Sequence, residues 1–226
     1  MNKEKNIIVI PVKRHSQGLP NKNRLLIQDC INKVINISDI DYELHIVGDD
    51  YELFDNLKSI YKDKIKFCKV PPIDSLSDVT LTLRFWRDTI SYSGKIAIIQ
   101  CTSPRLQEKW IIDCLNLYKT DKIVATTCEI GFKPTALYCK NGDYYTLFAK
   151  DRPWPSTARQ LLPHTIRITG AIVVCHTNCL DNQSLFENKE LIPYMIDEKD
   201  DIDIDTIEDL KKAKILLGNE YTEYNK

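Results

Sequence analysis

The sequence predicts an α/β protein built on a mostly parallel, Rossmann-like sheet with helices on both faces. Three observations predict it. Five short apolar runs are separated by four helix-like segments before residue 130. The runs are continuous rather than alternating, as strands covered on both faces require. Polar loops then follow each run in turn, the pattern of repeated strand, loop and helix.

The first run, IIVIPV from Ile7 to Val12, is closed by Lys13. It is too short for an export signal or a membrane span, which needs roughly 20 apolar residues, and reads as a first strand. The chain is therefore expected in the cytoplasm. Leu25, Leu26, Cys30, Val34 and Ile37 form a helical stripe after the loop KRHSQGLPNKN. ELHIVG, KIKFCKV, KIAIIQ and KIVATT give the next strands. The helices between them carry Leu53, Leu57 and Ile60, then Leu81, Phe85 and Trp86, then Trp110, Ile111, Cys114, Leu115 and Tyr118. Asp78 is the candidate cap of the helix at 79 onward.

The pattern changes near residue 130. TALYCKNGDYYTLF carries an Asn141-Gly142 turn between short apolar and aromatic runs, a hairpin signal. A proline-rich stretch, DRPWPSTARQLLP, follows. Residues 130 to 168 thus read as an insertion in a single domain spanning 1 to 226, with the sheet resuming at GAIVVCH. ELIPYMID is a short last strand. In the terminal helix Thr206 caps, Asp209 sits at the capping-box position, Leu210, Ala213 and Leu217 line one face and Gly218 closes it.

Composition limits the function. The 226 residues include 31 Lys+Arg and 32 Asp+Glu, a formal net charge of -1, which gives no bulk attraction to nucleic acid or to an anionic membrane. The eight cysteines lack C-x-x-C spacing and sit mostly in apolar runs, as reduced core residues do. The four histidines show no metal spacing, and His45, inside a strand, is expected to be packed and hydrogen-bonded. No G-x-S-x-G elbow or catalytic triad is present.

Right-handed crossovers bring strand-to-helix loops to one sheet edge, where open α/β sheets bind ligands. The loops at 13–24, 49–50, 71–78 and 100–105 are candidates to share that cleft. The first concentrates donors: Lys13, Arg14, His15, Ser16, Gln17, Gly18, Lys22 and Asn23. Gly18 lets amides face an anion, and the cations supply charge to phosphates; a basic surface turn is the plainer alternative. Asp203 and Asp205 are two apart in an extended segment and face the same way, an arrangement that can hold Mg²⁺ beside phosphates or be one part of a solvated acidic run. Gln100, Thr102 and Ser103 can hydrogen-bond a polyol, or cap the next helix, and Arg105, Arg159 and Arg167 can meet a carboxylate.

These segments resemble the acylneuraminate cytidylyltransferases, the CMP-sialic acid synthetases, which include enzymes for legionaminic and pseudaminic acids and are related to CMP-Kdo synthetases. VKRHSQGLPNKN is similar to that family's A-R-x-x-S-K-G-h-P-x-K-N loop, IIQCTSPR to L-L-Q-P-T-S-P-L-R, RQLLPHTIRITGAIVV to R-Q-x-L-P-x-x-F-R-x-N-G-A-I-Y, and DIDIDTIEDLKKA to D-I-D-T-x-x-D-L-x-x-A. The resemblance implies a Rossmann-like nucleotidyltransferase fold and a homodimer formed through the insertion. It implies transfer of CMP from CTP to the anomeric hydroxyl of a sialic-acid-like acid, with release of pyrophosphate. Lys13, Arg14, Ser16, Gln17, Gly18, Lys22, Asn23 and Asp78 then fall at the nucleotide. Gln100, Thr102, Ser103, Arg105, Arg159, Arg167 and Thr169 fall at the sugar, and Asp203 and Asp205 at Mg²⁺, with Lys22 and the two aspartates catalytic. Lys13 and Gln17 replace the family's arginine and lysine, Cys101 its proline, Thr169 its asparagine and Val173 its tyrosine, and Arg105-Leu106 reverses its Leu-Arg. These departures imply an altered acceptor. They leave open another acceptor class, such as a sugar or polyol phosphate, and a non-catalytic nucleotide-binding protein.

Overall fold

The structure, a computed structural model, describes residues 5–72, 79–119, 122–129, 138–141, 144–147, 164–182, 184–187 and 189–218. In chain order its elements are β1 (Asn6–Val12), α1 (Lys22–Ile35), β2 (Tyr42–Gly48), α2 (Tyr51–Tyr61), β3 (Lys66–Lys69), α3 (Val79–Ile90), β4 (Lys95–Ile99), α4 (Glu108–Leu117), β5 (Lys122–Glu129), β6 (Tyr138–Asn141), β7 (Tyr144–Leu147), β8 (Ile166–His176), β9 (Glu190–Met195) and α5 (Ile207–Leu217). Seven strands form one sheet in the order β3-β2-β1-β4-β8-β5-β9. All neighbours are parallel except β8, which runs antiparallel to both β4 and β5. The expected α/β fold and mostly parallel sheet are therefore present, with one reversed strand.

Alternation along each strand divides the core in two. Ile8, Ile10 and Val12 of β1 join Leu44 and Ile46 of β2 beneath α1, α2, α4 and α5. Ile7 and Val9 face the other way, with Val47, Ile96 and Ile98, beneath α3 and the 3₁₀ turn Thr177–Asp181. Helices thus cover both faces, four against one. On α3 the sequence reading errs in rotation. Leu83 and Trp86 are buried, whereas Leu81 and Phe85 are 47% and 41% exposed. Thr80 and Thr82 share the buried face, so polarity alone misled about which stripe faces inward.

The reversed strand begins at Ile166, four residues before the apolar run that announces it. Glu129 pairs with Ile166, so segment 130–165 leaves and re-enters the sheet at one position. Within it, β6 and β7 pair as a hairpin, Asn141 opposite Tyr144. Cys30, Cys68, Cys101, Cys114, Cys128, Cys175 and Cys179 are free and buried, as their apolar settings predict. α5 carries the full capping box: the Thr206 hydroxyl accepts from the Asp209 amide, and the Asp209 carboxylate accepts from Thr206.

His45 is packed as expected. The Trp86 indole N–H donates to its Nδ1 at 3.1 Å, and its Nε2 lies 3.3 Å from Glu43. Burial holds the imidazole below its ordinary 6.5, although Glu43 opposes this. Trp86→Phe removes the donor and strands a buried acceptor, an expected loss of about 1–3 kcal/mol in urea unfolding. As pH falls below 6.5 the unfolded chain takes up the proton before folded His45 does. The His45 contribution to stability is thus complete above that pH and declines beneath it, which unfolding titrations on either side will register.

Candidate active site

The two parallel strands at the centre of the sheet, β1 and β4, send their chains in opposite directions from neighbouring carboxyl ends. Their loops splay and leave a crevice, the usual ligand position in open α/β sheets. A cavity of about 520 Å³ opens there. Its walls come from Lys13, Ser16, Gln17, Gly18, Lys22 and Asn23 after β1, Gln100 and Thr102 after β4, and Asp203 and Asp205 before α5. Three segments far apart in the sequence therefore converge; of the loops expected to share the cleft, 13–24 and 100–105 line it, 49–50 does not, and 73–78 falls outside the described residues.

The contact between the first loop and the last segment is very close. A Cβ on Gly18 would lie 2.3 Å from the Asp205 carbonyl oxygen. Only glycine lets the two backbones meet. The Lys22 ammonium, at the start of α1, donates to Asp205 Oδ1 at 2.5 Å. The Ile204 amide donates to the Thr102 carbonyl at 2.9 Å, which joins the last segment to the β4 loop. Asn23 links the two strand loops: its Nδ2 donates to the Lys13 carbonyl at 2.7 Å, and its Oδ1 accepts from the Cys101 thiol at 3.4 Å. Burial pushes that thiol up to about 12, so it donates as a neutral group.

Asp203 lines the cavity and is exposed to solvent, with protein around part of its carboxylate. That partial desolvation raises its carboxyl above the ordinary range; a Thr102 hydrogen bond opposes the rise, and the neighbouring Asp205 charge adds to it. The pair is therefore one carboxylate matched to Lys22 and one that lacks full charge compensation. Among the described residues, no group of three or more His, Cys, Asp or Glu side chains is placed to hold a metal.

The return strand shapes the remaining wall. Between Ala125 and Thr127 the β5–β8 register slips, and β8 bulges. Gly170, at φ +82°, supplies the left-handed residue there and lines the cavity.

No protein-family model matches the chain. A CMP:2-keto-3-deoxy-manno-octonic acid synthetase in complex with CTP is similar over 96% of this chain and 100% of its own, with a TM-score of 0.69 and 15% identity. A 4-diphosphocytidyl-2C-methyl-D-erythritol synthase from Anaerococcus prevotii gives 0.64 over 95% and 98% at 14% identity. The bifunctional IspDF from Campylobacter jejuni gives 0.61 over 92% of this chain and 54% of its own at 9% identity. The chain shares the α/β fold of these synthases.

Other expected site residues lie elsewhere. The Thr169 hydroxyl donates to Thr126 Oγ1 at 2.7 Å, inside the bulge between β5 and β8. Ser103 is buried, and its carbonyl closes a turn to the Leu106 amide. Arg105 lies 3.9 Å from Asp200, and Arg167 is ion-paired with the buried Asp201. These two arginines point to their own acidic partners and are absent from the cavity walls. Arg14 sends its amide to Asp49 at 2.7 Å. Asp78 and Arg159 fall outside the described residues. Five wall residues stand outside the expected nucleotide, sugar and metal sets: Pro11, His15, which was named only among the donors of the loop, Val79, Gly170 and Thr206. His15 and Thr206 were legible as neighbours of the motifs, whereas Val79 becomes a wall residue only through the crossover of α3.

Gly18→Ala forces a methyl against the Asp205 carbonyl, so the loop must shift. The expected cost is about 1–3 kcal/mol in denaturant unfolding, with loss of the Lys22–Asp205 contact in a crystal structure of the variant.

Proposed function

We propose that this protein is a nucleotidyltransferase that moves CMP from CTP onto a hydroxyl-bearing sugar or polyol acceptor and releases pyrophosphate. The observation that carries the reading is the closure of the basic, glycine-containing loop 13–23 onto the Asp203–Asp205 segment in one cavity. The loop offers Lys13, Lys22 and neutral donors to phosphates, and Gln100 and Thr102 offer hydrogen bonds to a polyol on the adjacent wall. The cytidylyltransferase fold of the relatives supports cytidine as the nucleoside.

Asp203 and Asp205 fit Mg²⁺. They are hard oxygen donors on one extended segment, and the incomplete charge compensation of Asp203 favours a cation. Mg²⁺ takes few protein carboxylates and fills its shell with water and phosphate oxygens, so two aspartates suffice. When bound, the ion neutralises charge on the triphosphate and on the leaving pyrophosphate. The Lys22–Asp205 ion pair is then the resting form of the site. A bound phosphate would draw the Lys22 ammonium, which would leave the Asp205 carboxylate able to hold the cation. The acceptor oxygen forms its bond to the α-phosphorus as the bond to pyrophosphate breaks. Chemistry of this kind needs positioned charge more than a covalent intermediate.

A narrower reading takes the acceptor as an acidic sugar. The four sequence motifs and the likeness to the keto-deoxy-octonic acid synthetase favour it. The engagement of Arg105 and Arg167 by Asp200 and Asp201 weighs against those two as carboxylate readers and favours the broader class. The reading keeps the protein in the cytoplasm, where CTP is made, and takes segment 130–168 as the contact of a homodimer.

Pyrophosphate release with CTP, Mg²⁺ and a panel of sugar acids, sugars and polyol phosphates tests the reading; silence across the panel from folded protein overturns it. Asp205→Asn is expected to lower turnover about 100-fold or more, and unchanged turnover would remove its metal role. Asp203→Asn separates stability from activity. A folded carboxyl raised above its unfolded value costs stability once pH exceeds the unfolded value. The variant should therefore melt at a higher temperature than the parent at neutral pH without Mg²⁺, while losing turnover.

A further inference from the structure

Asp49 and Asp50 follow β2 outside the cavity, yet both are buried, at 7% and 1% exposure. Each holds one end of the loop that forms the cavity's basic wall. Asp49 Oδ1 accepts the Arg14 amide at 2.7 Å, where the loop leaves β1. Asp50 accepts two bonds from the Arg24 guanidinium, each 2.7 Å, just after the loop has entered α1. Glu52 takes a further bond from Arg24 at 2.9 Å, and Asp50 also caps α2 through the Leu53 amide. A buried carboxylate is costly unless its oxygens are satisfied. Asp49 is bonded by the loop itself, and Asp50 by the first turn of the helix that the loop enters and by the Leu53 amide, so neither end of the loop can shift without stranding a buried carboxylate.

We propose that Asp49 and Asp50 are positioning residues for the nucleotide loop: adjacent carboxylates that fix its entry and its exit, so that Lys13, Ser16 and Lys22 face the cavity before any ligand arrives. This rests on the nucleotide reading of the cavity. Asp49 acts on a backbone amide and Asp50 on a fork of guanidinium nitrogens, so the two make different demands. Asparagine at 49 keeps an acceptor oxygen for the Arg14 amide, whereas alanine does not. Lysine at 24 keeps the charge but loses the fork.

The test compares wild type, Asp49→Ala, Asp49→Asn and Arg24→Lys by amide hydrogen exchange without ligand and by steady-state kinetics with CTP. Asp49→Ala should speed exchange at Arg14 about tenfold or more and raise the KM for CTP about 10- to 100-fold, with kcat changed far less. Asp49→Asn should restore most of both. Arg24→Lys should speed exchange at Lys22 and raise KM in the same direction, which keeps the idea testable if Asp49→Ala does not fold. Exchange at Arg14 equal in Asp49→Ala and wild type overturns the proposal. So does a fall in kcat at unchanged KM, the mark of a merely smaller folded fraction. Exchange needs no nucleotide: loosened loops with no CTP binding by wild type would sink the nucleotide reading and leave the tether standing, whereas CTP binding with unaltered exchange would do the reverse.

Discussion

The site depends on one steric constraint, the absence of a side chain at position 18. With a hydrogen there, the loop after the first strand rests on the peptide of Asp205, and the two ends of the chain close a single cavity. With any carbon there, the loop must stand away by an ångström or more. Lys22 would then lose its reach to Asp205, and the donors of residues 13 to 17 would no longer face the same space as the aspartates. The central sheet brings β1 and β4 together, but the join between the first loop and the last segment is what turns a crevice between strands into a walled site.

Electrostatics then divides labour among the aspartates. Asp205, on the rim, is matched to a lysine. Asp203, exposed on the same cavity wall, lacks full compensation, which disposes it toward a cation. Asp49 and Asp50 are buried, satisfied by the Arg14 amide of the loop and by the Arg24 guanidinium of α1 and the Leu53 amide, and are closed to ligand. Four carboxylates of one chemical type thus serve as rim partner, cation seat and two anchors, and the surroundings alone make the difference.

Much of this was legible in the sequence. Continuous apolar runs marked the strands because both faces of the sheet are covered, and Thr206, Asp209 and Gly218 marked the last helix because caps are local chemistry. The convergence of residues 13–23 and 100–102 followed from crossover handedness, whereas the same argument also placed 49–50 there, which lies outside the cavity, and did not reach 203–205. What was not legible depended on tertiary partners. Leu81 and Phe85 looked like core by type, but Thr80 and Thr82 share the buried face with Leu83 and Trp86. Arg105 and Arg167 looked like substrate readers, but Asp200 and Asp201 lie within reach and hold them. Thr169 turned out to bond Thr126, because a register slip of the sheet occurs there. A motif conveys which residues stand together in sequence, not which neighbour claims their hydrogen bonds.

The reversed strand has a wider consequence. Because Glu129 and Ile166 are partners across one ladder, the stretch between them begins and ends at a single rung. Closing such a loop costs entropy that grows only with the logarithm of its length. The stretch can therefore lengthen, shorten or be exchanged between relatives with little strain on the sheet, while the cavity wall at Gly170 stays where it is. A scaffold of this design can diversify what it recognises without renegotiating how it folds.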